Sequence, residues 1–158
     1  MSSEQEQFMK EAIRLAAMNM QNGHGGPFGC VIVKDGKIIS SAFNEVLKNN
    51  DPTAHAEIVA IRRACTSLNT YQLDGCEVYT SCEPCPMCLG AIYWSRPSKV
   101  YYAASRVDAA KAGFDDNHIY DEFNLPLPHR GIPFEQFLRE DVIEVFDKWV
   151  SMKLDIKY

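Results

Sequence analysis

The chain has 158 residues, 46% of them hydrophobic, and 21 Asp and Glu outweigh 16 Lys and Arg for a net charge of −5. A chain of this length makes one domain that buries roughly two-thirds of its unfolded surface, and the apolar content argues against disorder. The acidic balance, with an isoelectric point near 5.3, disfavours a nucleic-acid surface, which needs a basic footprint to meet phosphates.

In chain order, the opening Met1-Ser2-Ser3-Glu4-Gln5-Glu6-Gln7 is polar and acidic, the reverse of a signal peptide. Phe8, Ile13, Leu15, Ala16 and Met20 keep roughly helical spacing, so a helix is expected over residues 4–21. Asn22-Gly23-His24-Gly25-Gly26-Pro27 must be a loop. Phe28 to Val33 and Lys37 to Phe43 then read as two strands around an Asp35-Gly36 turn, a strong hairpin signal. Asp51-Pro52 offers an N-cap and an N1 proline for a helix with Thr53 to Glu57 in its first turn and Ile58, Ile61 and Cys65 beyond.

After the Asp74-Gly75 turn, Cys76 to Thr80 reads as a strand. Pro84 suits the first position of the next helix, and Met87, Leu89, Ala91, Ile92, Tyr93 and Trp94 make that helix apolar, hence buried, up to Ser95-Arg96-Pro97. Lys99 to Ala103 is a further strand, and residues 106–116 are loop with a helical turn. Leu125-Pro126-Leu127-Pro128 is a break, and Val142, Val145, Phe146 and Trp149 stripe a closing helix. Strands alternating with helices predict an α/β layered domain around a mixed sheet, without repeats or a second domain over residues 1–158. No apolar run approaches membrane-spanning length.

Two motifs carry the chemistry. His55-Ala56-Glu57 and Pro84-Cys85-Pro86-Met87-Cys88 supply one imidazole and two thiols for a zinc ion, with a carboxylate beside them. Three protein ligands leave the fourth tetrahedral position open, the mark of a catalytic zinc. The pattern H-x-E…P-C-x-x-C is the signature of zinc nucleobase deaminases, in which zinc activates a water and a glutamate that is not a ligand moves protons. His55, Cys85 and Cys88 are therefore the expected ligands of one Zn2+ per chain, and Glu57 the expected proton carrier. Cys85 and Cys88, at i and i+3 in a helix's first turn, face the same way near the positive end of its dipole, which favours thiolate. His55 and Glu57 are two apart, and a regular helix would point them to different sides. Either the first turn deviates or the water lies between them.

Competing readings remain. Cys82-x-x-Cys85-x-x-Cys88 resembles the start of an iron–sulfur run, whose fourth cysteine is absent nearby. A structural zinc with four protein ligands, Cys82 included, leaves Glu57 unexplained. Six cysteines in metal-like spacing suggest a reducing compartment, so a cytoplasmic protein is expected. His24, His118 and His129 have no spacing partner and read as surface or structural residues.

Asn44, Asp51 to Glu57 and Thr80 to Ile92 resemble the cytidine deaminase-like superfamily, in its branch of guanine deaminases and tRNA adenosine deaminases. Gly25-Gly26-Pro27-Phe28-Gly29, Ile92-Tyr93-Trp94, Ala112 to Asp116 and the terminal Lys157-Tyr158 look like the bacterial-type guanine deaminases. The resemblance covers nearly the whole chain. It implies a three-layer α/β/α cytidine deaminase-like fold with a central mixed sheet. It also implies a homodimer, with the C-terminal segment, about residues 130–158, swapped to cover the partner's site. It implies that Asn44 hydrogen-bonds the purine, Ala56 offers its backbone, Phe28 and Trp94 pack on the ring, Asp116 reads the amine edge and Tyr158 closes the pocket. The expected reaction is hydrolytic deamination of a free nucleobase, guanine to xanthine and ammonia. Guanosine, isocytosine or cytosine as substrate, tRNA adenosine as substrate, and a non-enzymatic zinc-binding subunit are the alternatives.

Overall fold

A computed structural model describes residues 2–154 and 156. They divide into two compact units, residues 1–116 and 117–158. In the first unit, helix α1 (Ser3–Asn22) starts in a capping box between Ser2 and Gln5 and stops at left-handed Gly23. Strands β1 (Gly29–Lys34) and β2 (Lys37–Phe43) form the expected hairpin, with Asp35 and Gly36 both at positive φ, as a tight two-residue turn requires. A one-turn helix α2 (Val46–Asn49) precedes helix α3 (Ala56–Leu68). Strand β3 (Cys76–Cys82), helix α4 (Pro86–Ser95), strand β4 (Lys99–Ala104) and helix α5 (Arg106–Lys111) complete the unit.

The sheet has the order β2-β1-β3-β4. β1 runs antiparallel to β2 and β3, while β3 and β4 are parallel, joined by the α4 crossover. Alternation along the two central strands divides the core. Val31, Val33 and Tyr79 point to the α1 side and pack with Ala12 and Leu15. Cys30, Ile32, Cys76 and Val78 point to the other side and pack with Ala56, Val59, Ala60 and Ala64 of α3. Helix, mixed sheet and helix are thus the three layers expected. Each fully buried Val or Ile adds roughly 1.5–3 kcal/mol of apolar burial, which is why the central strands carry Val31-Ile32-Val33 without a polar break.

Some expectations change. Ile13 and Met20 are exposed, and α1 buries Ala12, Leu15, Ala16 and Asn19 instead. Helix α4 buries only Pro86, Cys88, Ile92 and Ser95, leaving Tyr93 and Trp94 75% and 65% exposed. An unbroken apolar run carries no periodicity, so sequence cannot say which face is inward.

The second unit holds α6 (Asn117–Asn124), absent from the sequence reading, a 3-10 turn (Leu127–His129) at the Leu-Pro break, and α7 (Arg139–Ser151). The α7 stripe Val142, Val145, Phe146 and Trp149 is exposed. Among the described residues no helix is long and apolar enough to cross a membrane.

Helix α1 lies directly on the backbone of β1 at Gly29, where a Cβ would overlap the Ala12 carbonyl oxygen and stand 2.8 Å from Ala16 N. Gly90 in α4 has nothing within 4 Å of such a Cβ. Gly29→Ala should therefore lower the unfolding free energy by about 1–3 kcal/mol, whereas Gly90→Ala should raise it by about 0.5–1 kcal/mol through helix propensity. Urea titrations of both variants read the opposite signs directly.

Candidate metal centre and active site

The site lies where two helices begin. His55 is the N-cap of α3 (φ −65°, ψ 158°) and Cys85 the N-cap of α4 (φ −63°, ψ 167°), both extended and neither bonding its own helix through its side chain. Two expectations about helix starts are corrected here. Asp51 does not cap α3; its carboxylate accepts from Thr53 N at 2.8 Å and Thr53 Oγ1 at 2.7 Å, closing a local turn. The N1 proline of α4 is Pro86, not Pro84. The later start of α3 removes the difficulty of the two-residue spacing. His55 stands outside the helix while Glu57 is already its second residue, so both side chains reach the same place.

His55 Nδ1 lies 3.5 Å from Cys85 Sγ and 3.6 Å from Cys88 Sγ. The three ligand atoms are mutually within 4.8 Å. Zinc–nitrogen bonds near 2.05 Å and zinc–sulfur bonds near 2.3 Å at a tetrahedral angle place N and S about 3.6 Å apart. The donor set and its spacing fit zinc. Cys82 stands outside this cluster, its thiol directed to the Ser105 carbonyl at 3.8 Å. The iron–sulfur and four-ligand readings lose their extra sulfur.

Charges in the cluster are tightly coupled. The Cys88 thiol donates to Cys85, and with the His55 contact this lowers Cys85 to about 4. Cys88 is held far above the ordinary thiol range by the same bond and by burial. His55 is raised by its bond to Cys85. Glu57, buried at 6% exposure, is raised chiefly by desolvation. Its Oε1 accepts from Thr80 Oγ1 at 3.2 Å, and its Oε2 lies 3.5 Å from Cys88 Sγ. One carboxylate oxygen is anchored and the other faces the ligands.

The residues expected around a base are placed unevenly. Asn44 is buried, with Oδ1 accepting from Val46 N at 3.1 Å, which leaves its Nδ2 protons without a protein partner among the described residues. Ala56 is the first residue of α3, so its N–H has no intrahelical acceptor. Phe28 meets Phe114 edge-to-face at 4.9 Å. Asp116 is raised by partial burial and then by the negative charge on Cys85, which places it within electrostatic reach of the cluster. Trp94 lies on the outward side of α4, away from the buried Cys88 and Ile92. Tyr158 lies outside the described residues.

Sequence reasoning missed Thr80 and Phe114. Thr80 was legible, because Cys76, Val78, Thr80 and Cys82 share one alternation register and Thr80 is the polar member of an inward row. Phe114 carried no local signal.

Residues 2–104 match the family described as the cytidine and deoxycytidylate deaminase zinc-binding region. The chain belongs to this family. The match spans α1 to β4 and contains the His55, Cys85 and Cys88 cluster. Among deaminases, the chain is 57% identical to guanine deaminase of Bacillus subtilis over 91% of its own length and 92% of the relative's. It is 38% identical to the tRNA-specific adenosine deaminase of Aquifex aeolicus over the same shares of the two chains. The X-ray structure of guanine deaminase from Bacillus subtilis superposes with a TM-score of 0.93, covering 100% of this chain and 99% of that one at 53% identity.

Metal ligation requires both sulfurs as thiolates and a neutral His55. In the metal-free protein near pH 7, Cys85 is already ionised while Cys88 keeps its proton, and the contact with Cys85 makes His55 hold its proton more firmly than a free imidazole. Zinc loading should therefore release protons at pH 7, and zinc affinity should fall as pH drops. Titration of metal-free protein with zinc in weak buffer and a pH indicator checks this; uptake without acidification would contradict it.

Proposed function

We propose that the chain is a zinc-dependent guanine deaminase, converting guanine and water to xanthine and ammonia. The observation that carries the reading is the two-sided hold on Glu57: a buried carboxylate, raised in pKa, fixed by Thr80 through one oxygen and turned to the His55–Cys85–Cys88 cluster with the other. The high identity to a guanine deaminase supports the substrate. His55, Cys85 and Cys88 would hold one zinc per chain. When bound, zinc supplies the Lewis acidity that brings a water's pKa to about 7.

Glu57 takes the proton that the attacking water gives up and delivers it to a ring nitrogen of the base. It then takes the second proton from the newly added hydroxyl, which becomes the carbonyl, and passes it to the exocyclic amine, which leaves as ammonia. A buried carboxylate with a raised pKa suits this traffic, because it holds a proton more readily than an exposed one and can still return it. Asn44, with Oδ1 occupied by Val46, presents only donors, so it meets an acceptor on the purine. Ala56 N–H is a second donor, Phe28 covers the ring face, and Asp116 accepts from the amine and ring N–H edge. Tyr158 closes the pocket.

The exposed α7 stripe supports a homodimer, in which residues from about 130 onwards cross to cover the partner's site. The acidic net charge favours a free base over tRNA as substrate, and a cytoplasmic setting matches the free thiols.

Ammonia release by zinc-loaded protein should be faster from guanine than from guanosine, cytosine or isocytosine. Glu57→Ala should keep its zinc and lose turnover by at least about 100-fold. Loss of metal in a folded Glu57→Ala protein would make Glu57 a ligand instead. Deleting residues 154–158 should weaken guanine turnover with zinc retained; unchanged kinetics would remove the tail from the pocket.

A further inference from the structure

Helix α1 ends next to the residues assigned above to the base, and its last buried side chain is polar. Asn19 is 0% exposed. Its Nδ2 donates to the Gly26 carbonyl and to the Asn44 carbonyl, both at 2.8 Å. Two carbonyl acceptors fix the orientation of the amide, and its buried Oδ1 has no protein partner among the described residues. Phe28 N donates to the same Gly26 carbonyl at 2.8 Å, and Asn44 N donates to the Phe28 carbonyl at 3.0 Å. These bonds form a closed circuit, Asn19 to Gly26 to Phe28 to Asn44 and back to Asn19. Gly25 lies against the same place, since a Cβ there would overlap Asn44 Oδ1.

We infer that Asn19 is a positioning residue for the base pocket: it touches neither base nor metal, but holds Asn44 and Phe28 at the spacing that reads the purine edge and covers its face. The inference rests on the proposed guanine-binding roles of those two residues. Its physical ground is the unpaired Oδ1. A buried polar atom without a partner costs stability that an apolar residue of similar volume would avoid. Filling space at the end of α1 would not require an amide, whereas linking two carbonyls on separate segments does. The amide also leaves Asn44 Oδ1 free for Val46 N, so the donor face of Asn44 stays directed outwards.

The test is a double-mutant cycle on zinc-loaded protein. Asn19→Ala should raise KM for guanine about tenfold, the loss expected when hydrogen bonds of about 1 kcal/mol no longer hold the pocket, with kcat and zinc content nearly unchanged. In an Asn44→Ala background the same substitution should change KM by less than about threefold, because only Phe28 is then left for it to position. Independent, multiplying effects would overturn the inference. So would an Asn19→Ala protein that loses thermal stability and active fraction at unchanged KM, the pattern of a purely structural residue. Should Asn19→Ala fail to fold, Gly25→Ala displaces Asn44 from the loop side. It should raise KM in the wild-type background, and an unchanged KM there would overturn the inference. Wild-type protein inactive on guanine but active on another amine would overturn the substrate reading alone, and the cycle is then read on that amine.

Discussion

Two helix starts face one another across the end of β3, and the N-cap position of each carries a side chain of the candidate metal cluster in place of a capping side chain. Ordinary caps at His55 and Cys85 would contribute about 1 kcal/mol each. Both helices forgo that contribution, and both still make their first internal bonds, Val59 N to His55 O at 3.0 Å and Leu89 N to Cys85 O at 2.8 Å. The extended N-cap conformation turns the side chain forward, off the helix axis. Residues two or three positions later, Glu57 and Cys88, can then reach the same point. The positive ends of two helix dipoles meet there, which favours thiolates and the anionic charge that develops in hydrolysis. The sheet order follows from the same need: β3 sits centrally, and its carboxyl end delivers Thr80 to Glu57 and leads into the cysteine loop.

Much of this was legible in the residues. The hairpin, β3, β4, α1 and α7 follow from periodicity and turn chemistry, and the three ligands follow from motif spacing. What failed failed for local reasons. Asp51-Pro52 is an equally good signal for a helix cap and for a turn, and the turn won because the carboxylate bonds Thr53 two residues on. Pro84 and Pro86 compete for one N1 position, and composition cannot choose between them. The apolar run of α4 hides its own inward face. Short α2 and α6, of four and eight residues, carry too few turns for a periodic signal. Asn19 looks like any polar residue near a helix end, and only its two long-range partners, Gly26 and Asn44, reveal its place.

The candidate metal cluster and the proposed base site are built by different means. The ligands stand on helix starts embedded in a core of Ala56, Val59, Ala60 and Val78. Of the residues proposed for the base, Phe28, Asn44 and Asp116 lie on the loops after α1, β2 and α5, the first two tied together by hydrogen bonds and Phe28 resting on Phe114. A rigid frame suits ligands whose spacing must hold within tenths of an ångström. Loops suit the recognition of a flat ring, where a small shift alters which edge is read.

The family match ends at residue 104, with β4, while Phe114 and Asp116 lie beyond it. The residue proposed to move protons and part of those proposed to read the base therefore sit on separate stretches of chain, one after the other. On that proposal the later stretch could change which amine is read and leave the site of bond breaking as it is.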